Sequence, residues 1–353
     1  MSIPPGSIIG ILGGGQLGRM MALAAAQLGY RCHIFDPHER PCAAEVASLF
    51  TRASFDDEVA LRGFADTCDV ATYEFENLPV RPLEALGSKL RPGTRSLAIA
   101  QDRAHEKEFI EKYARVAPWR AVSNLDEVER AVAALGTPLV LKTRRYGYDG
   151  KGQAWIHSAN DVRLAWEAIG AEPAVAEAGI SFDAEFSVIL ARSADGGIAL
   201  WDSPNNIHEG GILRLSTLPA GAGIEAQAEA AEAMAMAIAD ALQHVGVLTV
   251  EFFATEQGPL VNEIAPRVHN SGHWTIEGAE TSQFEQHVRA ICGLPLGLTK
   301  RTGHFVQMRN IIGPEVQNWL EPLSSSLHLH LYGKGEPRPG RKMGHITQVS
   351  YRT

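Results

Sequence analysis

The sequence has few cysteines and no excess of positive charge, and each shortage excludes a class of protein. Four cysteines are spread over 353 residues with no C-x-x-C pair, so neither a disulfide framework nor a zinc site is expected. The formal net charge is −9, which disfavours non-specific binding to nucleic acid. No apolar run reaches the roughly 18 residues that a membrane-spanning helix needs, so no membrane association is expected.

The N-terminus also lacks the pattern of a secretory signal, because Pro4, Pro5 and Gly6 lead directly into a short strand. We therefore expect a cytoplasmic protein. The length of the chain predicts two or three domains.

The first hundred residues alternate between strand and helix patterns. Apolar runs at 7–12, 30–35 and 69–73 predict strands, and 16–28 predicts a helix. This alternation predicts an α/β domain with a parallel sheet, whose ligands would bind at the carboxyl ends of the strands.

Beyond residue 98 the pattern changes to a mixture of helices and several strands. Helices are predicted at 102–114, 125–135, 160–169, 224–244 and 280–291, with strands at 139–142, at 153–157 and between 174 and 215. Residues 301–353 predict a small, mostly β tail with a cluster of basic residues.

Two glutamates lie at matching positions of a predicted hairpin. Residues 247–253 predict a buried strand and 259–263 its partner, which would bring Glu251 close to Glu263. Paired carboxylates together with substrate phosphates are oxygen ligands that suit Mg²⁺. Arg267 follows four residues later and offers a fixed charge to a planar anion. The pattern favours a metal–phosphate enzyme, although a single Glu at a strand end is usually only solvated.

The run Gly13–Gly18 satisfies G-x-G-x-x-G between a strand and a helix, and Asp36 follows at the spacing expected for a ribose contact. Taken alone, this pattern favours NAD. Its physical content is more general, because the backbone N–H groups of such a loop bind any phosphate. We therefore predict an anion site and leave the cofactor open, with tight packing of the glycines as the alternative.

A second glycine-rich loop, 142–152, begins with Lys142 and carries several charges. It suits a lid over a triphosphate, because glycine lets backbone N–H groups approach phosphate oxygens. It is not a Walker A loop, since no G-K-[ST] opens a helix. Residues 176–180 and Glu185 could read an adenine and a ribose. An ordinary hairpin loop and a surface Glu are the alternatives.

Several further side chains could belong to the site or to the solvated surface. Glu74, Glu76 and Asn77 end a strand at the predicted ligand edge. Lys107 lies on a predicted helix and His208 in a polar segment, where either role is open. The loop 332–345 carries basic residues stiffened by Pro and Gly, which favours a defined phosphate site.

Five strings together resemble one superfamily. They are GGGQLGRM, YEFEN, RYGYDGKGQ, NEIAPRVHNSGHWT and RPGRKMGH, and they extend over almost the whole chain. The order of these motifs resembles the ATP-grasp superfamily of ligases, and within it the 5-(carboxyamino)imidazole ribonucleotide synthases. The last two strings separate this family from the formyl-transferring and amino-acid-ligating relatives.

The resemblance implies a three-part fold. A Rossmann-like pre-ATP-grasp domain would cover 1–97, an α+β ATP-grasp domain 98–300 with a lid at about 144–152, and a small, mostly β domain 301–353. It also implies a homodimer that carboxylates 5-aminoimidazole ribonucleotide with bicarbonate and ATP through carboxyphosphate, with Mg²⁺ or, in its place, Mn²⁺.

The resemblance further implies a role for each motif residue. ATP contacts would come from Arg103, Lys107, Lys142, Gly147, Gly150, Gly152, Glu177, Ala178, Gly179, Ile180, Glu185, His208 and Asn262. The metal would bind Glu251 and Glu263, and catalysis would use Arg267, His269, Tyr148, Asp149 and Lys151. Substrate contacts would come from Gly15, Gln16, Leu17, Glu74, Glu76, Asn77, Asn270, Ser271, Lys334, Arg341 and Lys342.

Three other hypotheses remain open at this point. The chain could be an ATP-grasp carboxylase or formyl transferase with another acceptor, or an NAD-dependent oxidoreductase. The oxidoreductase hypothesis leaves the Glu251/Glu263 pair and the second glycine loop unexplained. A silent ATP-binding regulator is the last, and the complete set of charged and lid residues argues against it.

Overall fold

The computed structural model describes residues 2–147, 150–320, 323 and 327–351. Tyr148 and Asp149, which the sequence places in the catalytic set, lie outside the described residues. All four cysteines are buried free thiols. Among the described residues, no helix combines the length and the hydropathy needed to cross a membrane.

The N-terminal part is a parallel sheet flanked by helices, as the alternating pattern predicts. Its elements are β1 (Ile8–Leu12), α1 (Gln16–Gln27), β2 (Arg31–Phe35), β3 (Leu49–Thr51), α2 (Glu58–Thr67), β4 (Val70–Tyr73), α3 (Val80–Leu83) and α4 (Thr94–Ala100). The strand order is β3-β2-β1-β4, so the carboxyl ends of β1 and β4 meet beside the Gly13–Gly18 loop. The sequence reading missed β3, which is short and half exposed.

The central part begins with a small antiparallel sheet of order β5-β8-β6-β7. Its elements are α5 (Arg103–Ile110), β5 (Trp119–Val122), α6 (Leu125–Leu135), β6 (Leu139–Thr143), β7 (Gln153–Ile156), α7 (Val162–Ala168) and β8 (Ala174–Ala178). Helix α5 is shorter than the predicted 102–114. Asp102 is its N-cap residue, and the Asp102 carboxylate accepts the Ala104 N–H at 3.0 Å.

A large antiparallel sheet makes up the rest of the fold. Its elements are β9 (Ala184–Arg192), β10 (Ile198–Leu200), β11 (Asn205–Glu209), β12 (Ile212–Leu218), α8 (Ala222–Leu242), β13 (Gly246–Thr255), β14 (Gly258–Ala265), α9 (Thr275–Gly278), α10 (Gln283–Cys292), β15 (Phe305–Ile312), β16 (Leu327–Leu331) and β17 (Lys342–Ser350). The strand order is β14-β13-β9-β11-β12-β15-β17-β16.

The C-terminal strands therefore continue the central sheet, because β15 pairs with β12. The predicted β-rich tail is confirmed, but the sequence did not indicate that it shares a sheet with the central part. One apolar core joins all three parts, since Ile11 of β1, Val247 of β13 and Val306 of β15 belong to the same buried cluster. This shared core fixes the three parts around the loops that carry the charged motifs.

Candidate active site

Two cavities of about 350 Å³ each meet at the predicted carboxylate pair. Residues that line both are Arg103, His208, Gly211, Glu251 and Glu263. We call the cavity that is lined by the segment 178–180 the hinge cavity. We call the other, which is lined by Arg267, His269 and Asn270, the loop cavity.

Glu251 and Glu263 are direct cross-strand neighbours on β13 and β14, as the hairpin predicts. Burial and the charge of Glu263 raise the pKa of Glu251 to about 7. Burial also opposes ionisation of Glu263. The positive charge of Arg103 outweighs this effect of burial and holds the pKa of Glu263 below its usual range. Arg103 Nη1 donates to Glu263 Oε2 at 2.7 Å. The two carboxylates are only partly buried, and their mutual repulsion opposes the ionisation of Glu251.

The carboxylate pair fits a hard divalent cation. A bound cation would relieve the repulsion that raises the Glu251 pKa, and both side chains offer only oxygen ligands. In the described part of the chain, no group of three or more His, Cys, Asp and Glu side chains forms a metal-binding cluster. Mg²⁺ suits this donor set, since it binds one or two carboxylates and takes its remaining ligands from phosphates and water.

Two lysines and one glutamate form a buried cluster beside the hinge cavity. Lys107 Nζ and Lys142 Nζ each lie 3.1 Å from a different oxygen of Glu177. Burial would raise the pKa of Glu177, but the two ammonium groups outweigh burial and lower it. The carboxylate that the family resemblance assigns to adenine recognition is therefore occupied by the lysines. It holds both ammonium groups in place, and since it also lines the hinge cavity, its contact with adenine stays a prediction.

The backbone of the hinge is partly used within the protein. The Ala178 N–H donates to Pro118 O at 2.9 Å, and the Gly179 N–H donates to Pro138 O at 2.8 Å. An adenine edge must therefore use carbonyl groups or the Ile180 N–H. The sequence reading missed the aromatic walls of this cavity, Trp155, Phe182 and Phe253. No motif signals them, because they come from three separate segments.

Glu185 and His208 form a hydrogen-bonded pair at the edge of the hinge cavity. His208 Nδ1 lies 2.8 Å from Glu185 Oε2. Burial disfavours the protonated ring, but the hydrogen bond to Glu185 and the charge of Glu251 outweigh it and raise the pKa of His208. His208, which the sequence left undecided, thus lies between the predicted ribose ligand and the carboxylate pair. Asn262 lies nearby, and its Oδ1 accepts from Lys142 Nζ at 3.3 Å.

The glycine-rich loop is anchored at its first residues. Arg144 Nε and Nη2 donate to the two oxygens of Asp102, each at 2.8 Å. Gly152 has a φ of +70°, and a Cβ atom there would come within 2.5 Å of Thr143 Oγ1, so only glycine fits. Gly147 lines the loop cavity, whereas Gly150 and Lys151 line the hinge cavity. The described residues of the loop therefore line both cavities.

Arg267 and His269 lie in the loop cavity with defined partners. Arg267 Nη2 is 2.6 Å from Glu76 Oε1, which also lines the cavity. His269 Nδ1 lies 2.9 Å from Ser271 Oγ and 3.4 Å from the Ser271 backbone nitrogen, and its Nε2 lies 3.2 Å from Glu251 Oε1. Burial and the charge of Arg267 hold the pKa of His269 well below its usual range. The imidazole is therefore neutral and directed towards the carboxylate pair.

Asn270 and Ser271 use their side chains within the protein. Asn270 pairs with Asn310, with Nδ2 donating to Oδ1 at 3.0 Å, and Ser271 Oγ donates to Ser187 Oγ at 3.0 Å. Asn270 lines the loop cavity together with Gln16, Leu17 and Asn77. The buried polar contacts hold the loop onto the large sheet, and direct substrate binding by the two side chains stays a prediction.

The Gly13–Gly18 loop is not an open phosphate site. The Gly15 N–H donates to Glu74 Oε1, and the Gly18 N–H donates to Glu74 Oε2 at 2.7 Å. The Gly14 N–H donates to Asp36 Oδ2 at 2.8 Å. The carboxylate of Glu74 thus fills the anion site. Asp36, the predicted ribose ligand, is itself bonded to the loop, which removes the basis for NAD binding. Glu74 also lines the loop cavity, so its contact with the substrate amine stays a prediction.

The basic residues of the C-terminal loop separate into two groups. Lys342 lines the loop cavity, but Lys334 and Arg341 are not among its lining residues. Lys334 Nζ lies 5.8 Å from the centre of the Tyr332 ring. Burial lowers its pKa to about 8, an effect that the nearby Cys42 and Glu74 partly offset. Arg341 Nη1 donates to Glu336 O at 3.2 Å.

The sequence reading missed one buried carboxyl group at the site. Glu106 is 2% exposed, lines the loop cavity, and accepts the Ile264 N–H at 2.7 Å. Burial and the charge of Glu263 raise its pKa to about 8. Arg103, Glu106 and Lys107 lie at spacings of three and four on α5, so a search for one charged helix face would have found it.

Family models match three consecutive stretches of the chain. The ribonucleotide synthetase preATP-grasp domain matches 7–101, the ATP-grasp domain matches 107–284, and the phosphoribosylaminoimidazole carboxylase C-terminal domain matches 307–352. The fold and the site define an ATP-grasp ligase.

The chain is 46% identical to an N5-carboxyaminoimidazole ribonucleotide synthase from Brucella melitensis, over 100% of this chain and 99% of that protein. The ADP complex of the N5-carboxyaminoimidazole synthetase from Staphylococcus aureus superposes with a TM-score of 0.94 at 35% identity, covering 99% and 95% of the two chains. A further structure, from Aspergillus clavatus with ADP and 5-aminoimidazole ribonucleotide, has a TM-score of 0.91 at 32% identity and covers 98% and 94%. The chain belongs to the N5-carboxyaminoimidazole ribonucleotide synthase family.

Proposed function

We propose that the protein condenses ATP, bicarbonate and 5-aminoimidazole ribonucleotide into N5-carboxyaminoimidazole ribonucleotide, ADP and phosphate. The observation that carries this proposal is the meeting of two cavities at Glu251 and Glu263. One cavity suits a nucleotide and the other an anionic amine substrate, so a phosphoryl group can pass between them. The Aspergillus clavatus relative, solved with ADP and 5-aminoimidazole ribonucleotide, supports the same pair of ligands.

ATP would bind in the hinge cavity. Its adenine would lie between Trp155 and the Phe182/Phe253 pair, whose rings stack at 4.5 Å, and would contact the hinge backbone. Glu185 would hold the ribose. Lys107 and Lys142, held by Glu177, would face the phosphates together with Arg103, and the glycine-rich loop with Lys151 would cover them.

Mg²⁺, or Mn²⁺ in its place, would be held by Glu251 and Glu263 and would neutralise charge on the phosphates. Arg103 holds Glu263 in position through the 2.7 Å contact. His208 and Glu185 complete the polar wall between the two cavities.

Bicarbonate would bind beside Arg267 and His269. Its oxygen attacks the γ-phosphorus and the bond to the β–γ bridging oxygen breaks, which gives carboxyphosphate and ADP. The substrate amine then forms a bond to the carboxyl carbon, phosphate leaves, and the amine loses a proton. A neutral His269 that carries its proton on Nε2 would donate it to a carboxyl oxygen, and closure of the glycine-rich loop would keep water away from the labile anhydride.

The ribonucleotide would occupy the loop cavity. Glu76 and Asn77 would face its amine side, Gln16 and Leu17 its ring, and Lys342 its phosphate. Lys334 and Arg341 would join Lys342 at the phosphate on the family resemblance. A homodimer remains part of the proposal on the family resemblance alone.

The decisive measurement is ADP release from ATP and Mg²⁺ with bicarbonate, in the presence and absence of 5-aminoimidazole ribonucleotide. Strong stimulation by the ribonucleotide supports the proposal. ADP release that needs bicarbonate but ignores the ribonucleotide would place the acceptor elsewhere. No ADP release at all would defeat ligase activity.

A further inference from the structure

Gln283, the first residue of α10, contacts both backbone groups of the proposed catalytic residue His269. Its Oε1 accepts the His269 N–H at 2.8 Å, and its Nε2 donates to the His269 carbonyl at 2.6 Å. The side chain is completely buried. Its position is further fixed by its own N–H, which donates to Thr275 Oγ1 at 2.9 Å. The side-chain amide of Gln283 thus makes the two backbone hydrogen bonds that a neighbouring strand would otherwise make to His269.

The segment around His269 is fitted closely to this amide. A Cβ atom at Gly272 would come within 2.6 Å of Gln283 Oε1, so the chain passes directly over the side chain. Gln283 Nε2 also lies 3.1 Å from His273 Nδ1. Without the two hydrogen bonds, the extended backbone at His269 would be free to rotate, and the imidazole would leave its place 3.2 Å from Glu251.

We propose that Gln283 is a positioning residue for the carboxylation reaction, which holds the backbone of His269 so that its imidazole faces the reacting groups. The inference rests on the proposed function, because it assigns Gln283 a role through His269. Gln283 does not line either cavity, so its effect on the reaction must pass through the residue that it holds.

The same helix supplies a matched control. Gln286, one turn further along α10, is also completely buried and makes the same pair of hydrogen bonds to another residue. Its Nε2 donates to the Gly297 carbonyl and its Oε1 accepts the Gly297 N–H, both at 2.8 Å. Gly297 lines neither cavity. A substitution at Gln286 therefore removes an equivalent pair of contacts at a distance from the chemistry.

The test compares Gln283→Met with Gln286→Met in the full-length protein, with ribonucleotide-dependent ADP release as the assay. We expect similar falls in Tm for the two variants. We expect kcat to fall about 10- to 100-fold only for Gln283→Met, because a displacement of about 1 Å at a catalytic group costs about that much. The KM for ATP should change less than about twofold, since Gln283 does not contact the hinge cavity.

A double-mutant cycle with His269→Asn separates positioning from general destabilisation. If Gln283 acts through His269, adding Gln283→Met to His269→Asn should lower kcat by no more than about threefold. Losses that multiply would overturn the proposal, as would equal falls in kcat for Gln283→Met and Gln286→Met. If Gln283→Met does not fold, Gln283→Glu replaces it in the test, because it keeps the acceptor for the His269 N–H and loses the donor to the His269 carbonyl. Its kcat should fall below that of Gln286→Met, and a kcat equal to that of the wild type would overturn the proposal.

The proposed function and this inference fail in different ways. If the wild-type protein shows no ADP release that depends on the ribonucleotide, the proposed function fails and the role of Gln283 fails with it. If the wild-type protein is active and His269→Asn keeps its kcat, only the role of His269 and the inference that depends on it are overturned.

Discussion

Replacing Glu263 by glutamine removes one charge from the carboxylate pair and keeps the shape of the side chain. We expect kcat to fall by about a hundredfold or more, because a neutral amide is a poorer Mg²⁺ ligand. The substitution also leaves the guanidinium of Arg103 without its 2.7 Å partner. Ribonucleotide-dependent ADP release measures the loss. Near-normal turnover would refute the metal assignment.

Glu177 offers a second test at the scale of one residue. Glu177→Gln leaves two buried ammonium groups with a neutral partner, which should cost about 3 kcal/mol of the free energy of unfolding. Mg²⁺–ADP should stabilise this variant more than the wild type, because nucleotide phosphates replace the missing charge. Urea unfolding with and without Mg²⁺–ADP measures both quantities. Equal stabilisation of the two proteins would contradict the placement of the lysines beside the phosphates.

Residue types at the site were predictable, but their partners were not. The hairpin pattern brings Glu251 and Glu263 together, because residues opposite each other in a hairpin follow from the turn. No such rule shows that Glu74 fills the glycine loop, 56 residues after Gly18 in the chain. The same holds for Glu177, whose two lysines come from different segments. Contacts between distant segments depend on packing that one sequence does not display.

At the scale of elements, Asp102 joins helix α5 to the glycine-rich loop. Its carboxylate caps α5, which carries Arg103, Glu106 and Lys107, and also holds Arg144. Asp102→Asn keeps a good cap but loses the charge opposite Arg144, so we expect the KM for ATP to rise about tenfold. Asp102→Ala should lose about 1 kcal/mol more stability, because the cap is also removed.

Asn124 provides the control for this prediction. Its side chain caps α6 by accepting the Glu127 N–H at 3.0 Å, and it lines neither cavity. Asn124→Ala should lower stability by about 1 kcal/mol and leave the KM for ATP unchanged. Steady-state kinetics and urea unfolding of the three variants check both expectations. An unchanged KM in Asp102→Asn would show that the loop does not depend on this anchor.

The long, strongly patterned elements were predictable and the short ones were not. The predicted helix 125–135 coincides with α6 (Leu125–Leu135), which has an Asn at its start and a Gly at its end. Strand β3 and helix α3 have only three and four residues, too few to show a period. The domain boundaries near residues 97 and 300 stay predictions, since one shared core connects all three parts.

At the scale of the whole molecule, His287 connects the N-terminal sheet to the large sheet. Its Nδ1 accepts the Val247 N–H at 3.0 Å, and its Nε2 lies 2.8 Å from Thr72 Oγ1 of β4. Burial lowers its pKa to about 3. Between about pH 6.5 and pH 3, His287 is therefore protonated in the unfolded chain and neutral in the folded protein. The stabilising contribution of His287 is complete above about pH 6.5 and is lost as the pH falls towards 3.

His287→Gln removes this titration. At pH 8 we expect the variant to be less stable by roughly 1–3 kcal/mol, because at least one buried hydrogen bond is lost. Below about pH 6.5 the difference from the wild type should shrink by about 1.4 kcal/mol per pH unit, since only the wild type loses stability through this group. Urea unfolding at pH 8, 6.5 and 5.5 measures the difference. A difference that does not vary with pH would refute the depressed pKa.

The continuous large sheet has a consequence for the protein while it is being made. Strand β12 ends at Leu218, but its partner β15 does not begin until Phe305. A ribosome that adds about 5–20 residues per second leaves one edge of β12 without its partner for on the order of ten seconds. During this interval the nascent chain exposes unpaired backbone groups to other unfinished chains. Slowing translation between these two strands should therefore increase aggregation, whereas slowing it after β17 should not.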